Sequence, residues 1–337
     1  MKKVIKVVAL ALASGLAVAG LAFTGCKDNA NGDLTVYMPD GAPALAMAKL
    51  MAEDTKEDGF IYRVVDPTLI TSKIKGDEDK TADFCVLPVT AGAKLLGSGE
   101  KYQMLGVVTH GNIFLIAKNS VSYTSENLSD LIGKTVGVLQ INAVPGLTFK
   151  AVLNKYDVAW QEVGNTDEKA QDKVNLVPIT DGGAVGVIQA DCFVLAEPAV
   201  SAQKGKGYSI VGDLQNLYGG ENGYPQAILV GKKSVVADQE KTVAFVEKVK
   251  EASTWLTTAT GAEIVECVSA HMEDSGRATT LKAPLLTSEV LSRCSVRFSY
   301  AWESKTETAE FLNAMLAVNE SVTAIPSENF YWNYVKE

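Results

Sequence analysis

The sequence predicts an α/β fold arranged as two lobes, each a mainly parallel sheet flanked by helices. Two observations support this prediction. Short apolar strand patterns alternate with helical patterns along most of the chain, and two units repeat the same order of elements. Strands that alternate with helices typically form parallel sheets that are covered on both faces. The chain has 337 residues, which favours two lobes because single hydrophobic cores stop growing near that size.

The first unit begins with a strand over 33–38, in which Leu34, Val36 and Met38 alternate with other residues. The loop that follows ends at Pro43, a residue suited to the first turn of a helix. The remaining elements predicted for this unit are strands over 61–65, 83–88, 102–109 and 113–118, and helices over 44–54 and 89–96.

The second unit begins with a strand over 135–139, followed by the loop 140–145. Its other predicted elements are strands over 174–179 and 191–195, a helix over 146–156, and a helix opened by Asp181-Gly182-Gly183. From Gly223 the chain is expected to return to the first lobe. The patterns there predict a strand over 227–231, a long helix over 238–259, and a mostly helical remainder.

The two units echo each other at two places. The first similarity is a strand followed by a proline and an alanine-rich helix, which occurs in segments 82–88 and 190–198. The second is a loop that joins the first strand of the unit to its first helix, which occurs at 40–43 and 142–145. The echoes fit two lobes of one design, with chance similarity as the alternative. The expected organisation is 34–117 with 223–337 as lobe 1, and 118–222 as lobe 2.

The N-terminal residues have the pattern of an export signal. Three early lysines precede an apolar run over 7–23, which ends at small residues before Cys26. This order is typical of a secretory signal peptide. The exit also resembles a bacterial lipobox, although that family prefers leucine where Phe23 stands. The resemblance implies removal of 1–25, lipidation of Cys26, a tether over 26–33, and an extracytoplasmic, membrane-anchored protein. An ordinary signal peptide or an N-terminal anchor helix is the alternative.

Composition and cysteine spacing argue against several classes of partner and cofactor. The chain carries a formal net charge of -9 and has no cluster of lysine and arginine, which argues against nucleic-acid binding. Cys85 and Cys192 lie in apolar strand patterns and are predicted to be core residues. Cys267 and Cys294 are either free thiols or a disulfide, which export would permit. No cysteine pair has the spacing of a zinc or redox site, so neither a metal nor a cofactor is expected.

Several segments together resemble solute-binding proteins of bacterial ABC importers. The segment 131–138 is similar to the opening of the second lobe in the branch that binds thiamine precursors, sulfonates and nitrate. The segment 191–198, in which Glu197-Pro198 follow a strand, matches the same family, and so does Tyr224-Pro225 before the next strand. The resemblance implies the two-lobed periplasmic-binding-protein-like (type II) architecture, a hinge, and a small-molecule ligand held between the lobes. It also implies delivery of that ligand to a membrane permease by a monomeric protein.

The ligand site is expected at the carboxyl ends of the strands, where open α/β sheets form their crevice. Helix N-termini there offer free N–H groups, and glycines allow close approach of the backbone to a ligand. The predicted ligand-binding residues are Asp40, Gly41, Ala42, Thr90, Asn112, Gln140, Asn142, Gly182, Glu197 and Tyr224.

Several of these side chains have a structural alternative. Asp40, Thr90 and Asn142 are either ligand contacts or caps of the helices that follow them. Asn112 either faces the cleft or makes a turn. Glu197 binds a ligand amine or forms a salt bridge, and Tyr224 stacks on a ring ligand or packs near the hinge.

No motif in the sequence supports catalysis. The chain has two histidines, His110 and His271, and neither lies in a metal or triad motif. The best-supported function is a lipid-anchored solute-binding protein for a heteroaromatic or polar molecule, such as a vitamin or pyrimidine precursor. The alternatives are an extracytoplasmic enzyme on the same fold and a ligand-sensing lipoprotein without a transporter.

Overall fold

The computed structural model describes residues 32–55, 58–77, 80–118, 121–219 and 222–334. The predicted signal peptide, Cys26 and most of the predicted tether lie outside these residues. Within these ranges, no helix is long and apolar enough to cross a membrane.

The first sheet has six strands. In spatial order they are β12 (Val296–Tyr300), β4 (Tyr102–Thr109), β11 (Ala227–Lys232), β3 (Phe84–Pro88), β1 (Leu34–Pro39) and β2 (Phe60–Val65). Strand β1 pairs in parallel with β2 and β3, whereas β11 runs antiparallel to β3 and β4, and β12 runs antiparallel to β4. The sheet is therefore mixed: β1, β2, β3 and β4 point the same way, and β11 and β12 run opposite to them. The cause is that β11 enters it beside Pro88, at the carboxyl end of β3.

The second sheet also has six strands and is also mixed. In spatial order they are β10 (Ser209–Asp213), β5 (Ile113–Ala117), β9 (Cys192–Ala196), β6 (Thr135–Leu139), β8 (Val174–Ile179) and β7 (Trp160–Glu162). Strands β6, β7, β8 and β9 are parallel, and β5 runs antiparallel to β9 and β10. The sequence predicts β5 in lobe 1, but β5 pairs with β9 and β10 and therefore belongs to the second sheet. The chain therefore changes sheet before Ile113, ahead of the expected boundary at residue 117.

Helices flank both sheets. They are α1 (Ala42–Leu45), α2 (Ala48–Ala52), α3 (Val89–Leu96), α4 (Val144–Lys155), α5 (Ala199–Ala202), α6 (Leu214–Gly219), α7 (Lys233–Val236), α8 (Gln239–Trp255), α9 (Gly261–Ala270), α10 (Ser288–Arg293) and α11 (Ala301–Val318). The two-lobed α/β architecture predicted from the sequence is confirmed.

Three predicted helical regions differ in the structure. The helix expected over 44–54 is divided into α1 and α2. The helix expected after Asp181 is a short 3-10 turn, Gly182–Ala184, because two adjacent glycines disfavour an α-helix and Asp181 closes the turn by accepting from the Gly183 N–H. The C-terminal region also contains β12, in which apolar and polar residues alternate with the period of a strand.

The hydrophobic core extends through both lobes. One buried cluster includes Cys85 and Ile228 of the first sheet, Val136 and Cys192 of the second, and Phe311 of α11. A second cluster covers the other face of the first sheet, and a smaller one covers the other face of the second. Cys85 and Cys192 are core residues, as predicted. Cys267 and Cys294 are also buried, and all four are free thiols.

Candidate ligand-binding cleft

The strand register shows which edges of the two sheets are joined. On the outward connection, β4 ends at Thr109, and β5 begins at Ile113 beside Ala196, the last residue of β9. On the return, β11 begins at Ala227, which pairs with both Pro88 and Thr109. Both connections therefore run between the carboxyl edges of the two sheets. We call residues 110–112 and 222–226 the two crossovers, and the space between the joined edges the cleft.

A pair of carboxamide side chains ties the crossovers together. The backbone N–H of Asn112 donates to Oε1 of Gln226 at 3.0 Å, and Nε2 of Gln226 donates to Oδ1 of Asn112 at 2.7 Å. Nδ2 of Asn112 also donates to the backbone carbonyl of Glu197 at 2.9 Å. Asn112 is almost fully buried. Its polar atoms are thus used between the crossovers and Glu197, a role that neither sequence alternative included.

Tyr224 lies in the core beside the second crossover. Its ring is wholly buried and stacks on Phe311, with centroids 5.1 Å apart and planes within 2° of parallel. Its hydroxyl donates to Oε1 of Gln215 at 3.2 Å. Both contacts belong to packing near the hinge, so the ring has no free face for a ligand.

Asp40 holds a distant loop rather than capping a helix. Its Oδ1 accepts from the Thr279 hydroxyl at 2.6 Å, and its Oδ2 accepts from the Thr280 N–H at 2.7 Å. The N-cap of α1 is Gly41, and no side chain caps that helix. The carboxylate therefore anchors segment 279–280 at the carboxyl end of β1, a contact that neither sequence alternative included.

The other predicted ligand-binding residues of lobe 1 are a glycine with an open backbone and two buried residues. Gly41 has a φ of 101°, and a Cβ added there would meet nothing within 4 Å, so the backbone at this point is open. Ala42 and Thr90 are buried in the first turns of α1 and α3. The Thr90 carbonyl accepts from the Thr323 hydroxyl at 3.1 Å, which ties α3 to the C-terminal segment.

In lobe 2, three predicted residues lie together at the carboxyl ends of β6 and β8. Gln140 and Asn142 are exposed, and Gly182 is half-buried. The Gln140 backbone donates to the Ile179 carbonyl at 2.8 Å, which fixes the β6 loop beside the end of β8. The N-cap of α4 is Ala143, and no side chain caps this helix. The Gln140 and Asn142 carboxamides are thus presented next to an uncapped helix N-terminus.

Glu197 forms an ion pair that reaches the other lobe. Its side chain is fully buried, and Oε1 accepts from Nε of Arg293 at 2.7 Å. Its two oxygens also accept from the Ser201 hydroxyl at 2.9 Å and the Ser201 N–H at 3.1 Å. Arg293 ends α10 in lobe 1. This arrangement corresponds to the salt-bridge alternative for Glu197.

A C-terminal segment, residues 273–295, covers part of the carboxyl edge of the first sheet. Its backbone joins β2 where Glu273 N–H donates to the Val64 carbonyl at 2.9 Å, and Arg277 pairs with Asp66. The segment ends at Ser295, whose carbonyl accepts from the His110 N–H at 3.0 Å. Residues 273–295 therefore contribute to the lobe 1 side of the cleft, including Arg293.

His110 is buried at the first crossover, and burial, with a smaller effect of the Arg297 charge, lowers its pKa to about 3. The imidazole is therefore neutral near pH 7 and poorly suited to general acid–base chemistry. Over the described ranges, no group of three or more His, Cys, Asp or Glu side chains is placed to hold a metal ion.

Solved structures resemble this chain over most of its length. An ABC transporter from Parabacteroides distasonis aligns with a TM-score of 0.69 and 18% identity, over 90% of this chain and 99% of that chain. The periplasmic aliphatic sulphonate binding protein SsuA from Escherichia coli aligns with a TM-score of 0.63 and 14% identity, over 91% and 94%. A zinc-bound ligand-binding component of an ABC-type import system from Staphylococcus aureus aligns with a TM-score of 0.54 and 10% identity, over 89% and 96%.

These likenesses define the class of fold. The chain has the two-lobed architecture of ABC-transporter periplasmic binding proteins, including sulfonate-binding ones, and the predicted resemblance is confirmed at this level. No protein-family model and no curated protein matches the chain.

Proposed function

We propose that this protein is the extracytoplasmic solute-binding component of an ABC importer, which closes two lobes around a small molecule and delivers it to a membrane permease. The observation that carries the proposal is that two crossovers join the carboxyl edges of two α/β sheets. Ligands of open α/β sheets bind at such edges, and a pair of connecting segments permits hinge closure. The likeness of the whole fold to importer binding proteins supports the same function.

We further propose a polar ligand without a strong negative charge, such as a heteroaromatic vitamin or pyrimidine precursor. The Gln140 carboxamide offers donors and an acceptor, and Asn142 offers the donors of a carboxamide whose Oδ1 accepts from Lys150 Nζ at 3.5 Å. Such groups suit ring nitrogens and carbonyl groups. Arg277 and Arg293 reach the carboxyl edge of lobe 1, but each is paired with a carboxylate. Such paired arginines favour a neutral ligand over a sulfonate or nitrate.

Lipid anchoring at Cys26 completes the proposal, because a tethered binder stays within reach of its permease. Stable anchoring by acyl chains needs more than one chain, and each buried methylene contributes about 0.8 kcal/mol. Expression with a labelled fatty acid tests the anchor. Wild-type protein should incorporate the label and fractionate with membranes, whereas Cys26→Ala should do neither. Equal labelling of both proteins would contradict the assignment.

The binding function is tested by identifying what the protein retains. Mass spectrometry of native protein purified from its host should detect a bound small molecule. Adding that compound at one hundred times its Kd should raise the free energy of unfolding by about 2.7 kcal/mol. If no compound is retained, and a broad metabolite panel changes neither melting temperature nor compactness, the solute-binding function fails.

A substitution in the β6 loop tests the location of the site. Gln140→Ala should weaken binding of the identified compound about two- to tenfold, since a neutral hydrogen bond contributes about 0.5–1.5 kcal/mol. The matched control is Gln189→Ala, because Gln189 is an exposed glutamine of the same lobe that precedes β9, near its amino end. Equal affinities of the two variants would move the site away from this loop.

The proposed function is distinguishable from enzymatic activity on the same fold. A binder should return the captured compound unchanged, and His110→Ala should alter at most its affinity. Turnover of the compound that is abolished by His110→Ala would instead support an enzyme.

A further inference from the structure

The Arg293–Glu197 ion pair joins two parts of the molecule that hinge motion would separate. Glu197 follows β9 at the carboxyl edge of the second sheet, whereas Val290, Leu291 and Cys294 around Arg293 are buried in the core of lobe 1. Strand β12 begins at Val296 opposite Thr109, so the residues just before it lie at the carboxyl edge of the first sheet. The ion pair thus extends between the two edges that border the cleft.

Both the carboxylate and the guanidinium of this pair make several hydrogen bonds. The Glu197 carboxylate is fully buried and receives three hydrogen bonds, from Arg293 Nε and from the Ser201 hydroxyl and N–H. The guanidinium also donates from Nη2 to the Ser201 hydroxyl at 3.0 Å and from Nη1 to Glu289 at 2.5 Å. Breaking such a pair leaves a buried charge without its partner, which is strongly unfavourable.

The contact differs from the bonds that Asn112 makes between the lobes. Asn112 lies on a crossover, so its bonds to Gln226 and Glu197 stay near the rotation axis as the lobes move. Arg293 lies on neither crossover and reaches Glu197 from outside the hinge. Both partners lie close to the first crossover, since the Glu197 N–H donates to the Asn112 carbonyl at 2.9 Å and Ser295, two residues after Arg293, accepts from the His110 N–H at 3.0 Å. Because Arg293 belongs to lobe 1 and Glu197 to lobe 2, rotation of the lobes acts on their contact.

We propose that Arg293 is a positioning residue for ligand capture, which holds the lobes together through Glu197 and Ser201 before a ligand arrives. The inference rests on the proposed two-lobe binding function. The pair shifts the ligand-free protein toward the closed arrangement, so less of the ligand's binding energy is used to bring the lobes together. It thereby sets ligand affinity without contact between Arg293 and the ligand.

Interlobe distance in the ligand-free full-length chain tests this proposal. Fluorophores attached to p-azidophenylalanine at positions 75 and 168 would report it by single-molecule energy transfer. Both native residues, Lys75 and Glu168, are exposed, and they follow the outermost strands β2 and β7, far from the crossovers. Arg293→Gln should raise the ratio of open to closed molecules at least about fivefold, the lower end of typical coupling between sites. Arg293→Lys should restore part of the closed population.

Arg277→Gln is the matched control, because it removes an arginine–carboxylate pair with Asp66 that lies wholly within lobe 1. The control should leave the distance distribution unchanged. Unchanged distances in folded Arg293→Gln would overturn the proposal. If Arg293→Gln does not fold, Glu197→Gln takes its place, with the same expected opening and the same contradicting result. Because the measurement uses no ligand, it is independent of whether the importer function is correct.

Discussion

His110 illustrates how strongly a single environment determines the chemistry of a residue. The sequence places it in a loop between two strands, where a histidine is either a cleft residue or part of a turn. In the structure it is buried, with Nε2 3.1 Å from the Ser299 hydroxyl and Nδ1 without a hydrogen-bond partner. Burial, followed by the Arg297 charge, lowers its pKa from 6.5 to about 3. The neutral imidazole therefore acts as a packing residue at the hinge.

This shift makes stability depend on pH in a defined direction. Between pH 6.5 and about 3 the unfolded chain binds a proton at His110 that the folded protein does not, so stability falls as the pH falls. The loss attributable to His110 should be about 1.4 kcal/mol for each pH unit below 6.5. Urea unfolding at pH 7 and pH 5 measures it. Because carboxylates also titrate, the comparison is with His110→Gln, which should lose less stability over the same interval. Equal losses would contradict the shift.

Side chains on the carboxyl-edge loops were the least predictable part of the site. Local spacing identified the loops, and Gln140 and Asn142 are exposed on them. Local spacing did not show that the Asp40 carboxylate accepts hydrogen bonds from Thr279 and Thr280, because these partners are 239 and 240 residues away along the chain. A buried carboxylate and an exposed one have the same local sequence signature.

At the scale of elements, the two crossovers determine how the lobes are joined. Gly223 has a φ of 66°, and a Cβ there would lie 2.1 Å from the His110 carbonyl oxygen. The close approach of the two crossovers therefore requires glycine at this position, both for backbone conformation and for space.

A pair of glycine substitutions separates these two requirements. Gly207 also has a positive φ, of 82°, but a Cβ there would meet nothing within 4 Å. Gly207→Ala should cost about 1 kcal/mol of unfolding free energy from conformation alone. Gly223→Ala should cost about 1–3 kcal/mol more, because the backbone carbonyl must move. Chemical denaturation of both variants measures the difference, and equal costs would mean that the crossovers do not constrain each other.

Sequence patterns predicted most elements because their periodicity is local. Strand β12 carries such a signal, since Val296, Phe298 and Tyr300 alternate with polar residues, although the C-terminal region is predicted to be mostly helical. Strand β5 was recognised as a strand and assigned to the wrong sheet. Its burial pattern is apolar throughout, and a uniformly buried strand does not indicate which sheet it joins.

At the scale of the whole molecule, the two lobes share one core. The buried cluster that contains Tyr224 and Phe311 includes residues of both sheets. Helix α11 carries Phe311 to this position and packs against α4 of the second lobe. The shared core predicts that both lobes unfold together, even though they are expected to move as units during ligand capture.

Substitution of two buried phenylalanines tests this cooperativity. Phe311→Ala and Phe245→Ala should each cost about 3–5 kcal/mol, because both side chains are almost fully buried. Wild type and Phe245→Ala should unfold in one calorimetric transition, since Phe245 belongs to a cluster confined to lobe 1. Phe311→Ala should uncouple the lobes and broaden or split the transition. Two transitions in wild type, or one equally sharp transition in both variants, would contradict a shared core.

The sequence by itself determined the alternation of strands and helices, the presence of two α/β units, the loops that follow the strands, and the resemblance to importer binding proteins. These features depend on spacing between near neighbours. Only the tertiary structure decided that the sheets are mixed, that β5 belongs to the second lobe, and that segment 273–295 reaches the cleft. It also brought Arg293 to Glu197, which is 96 residues away. Contacts of this kind depend on how the chain returns from one sheet to the other, and no local pattern of residues encodes that path.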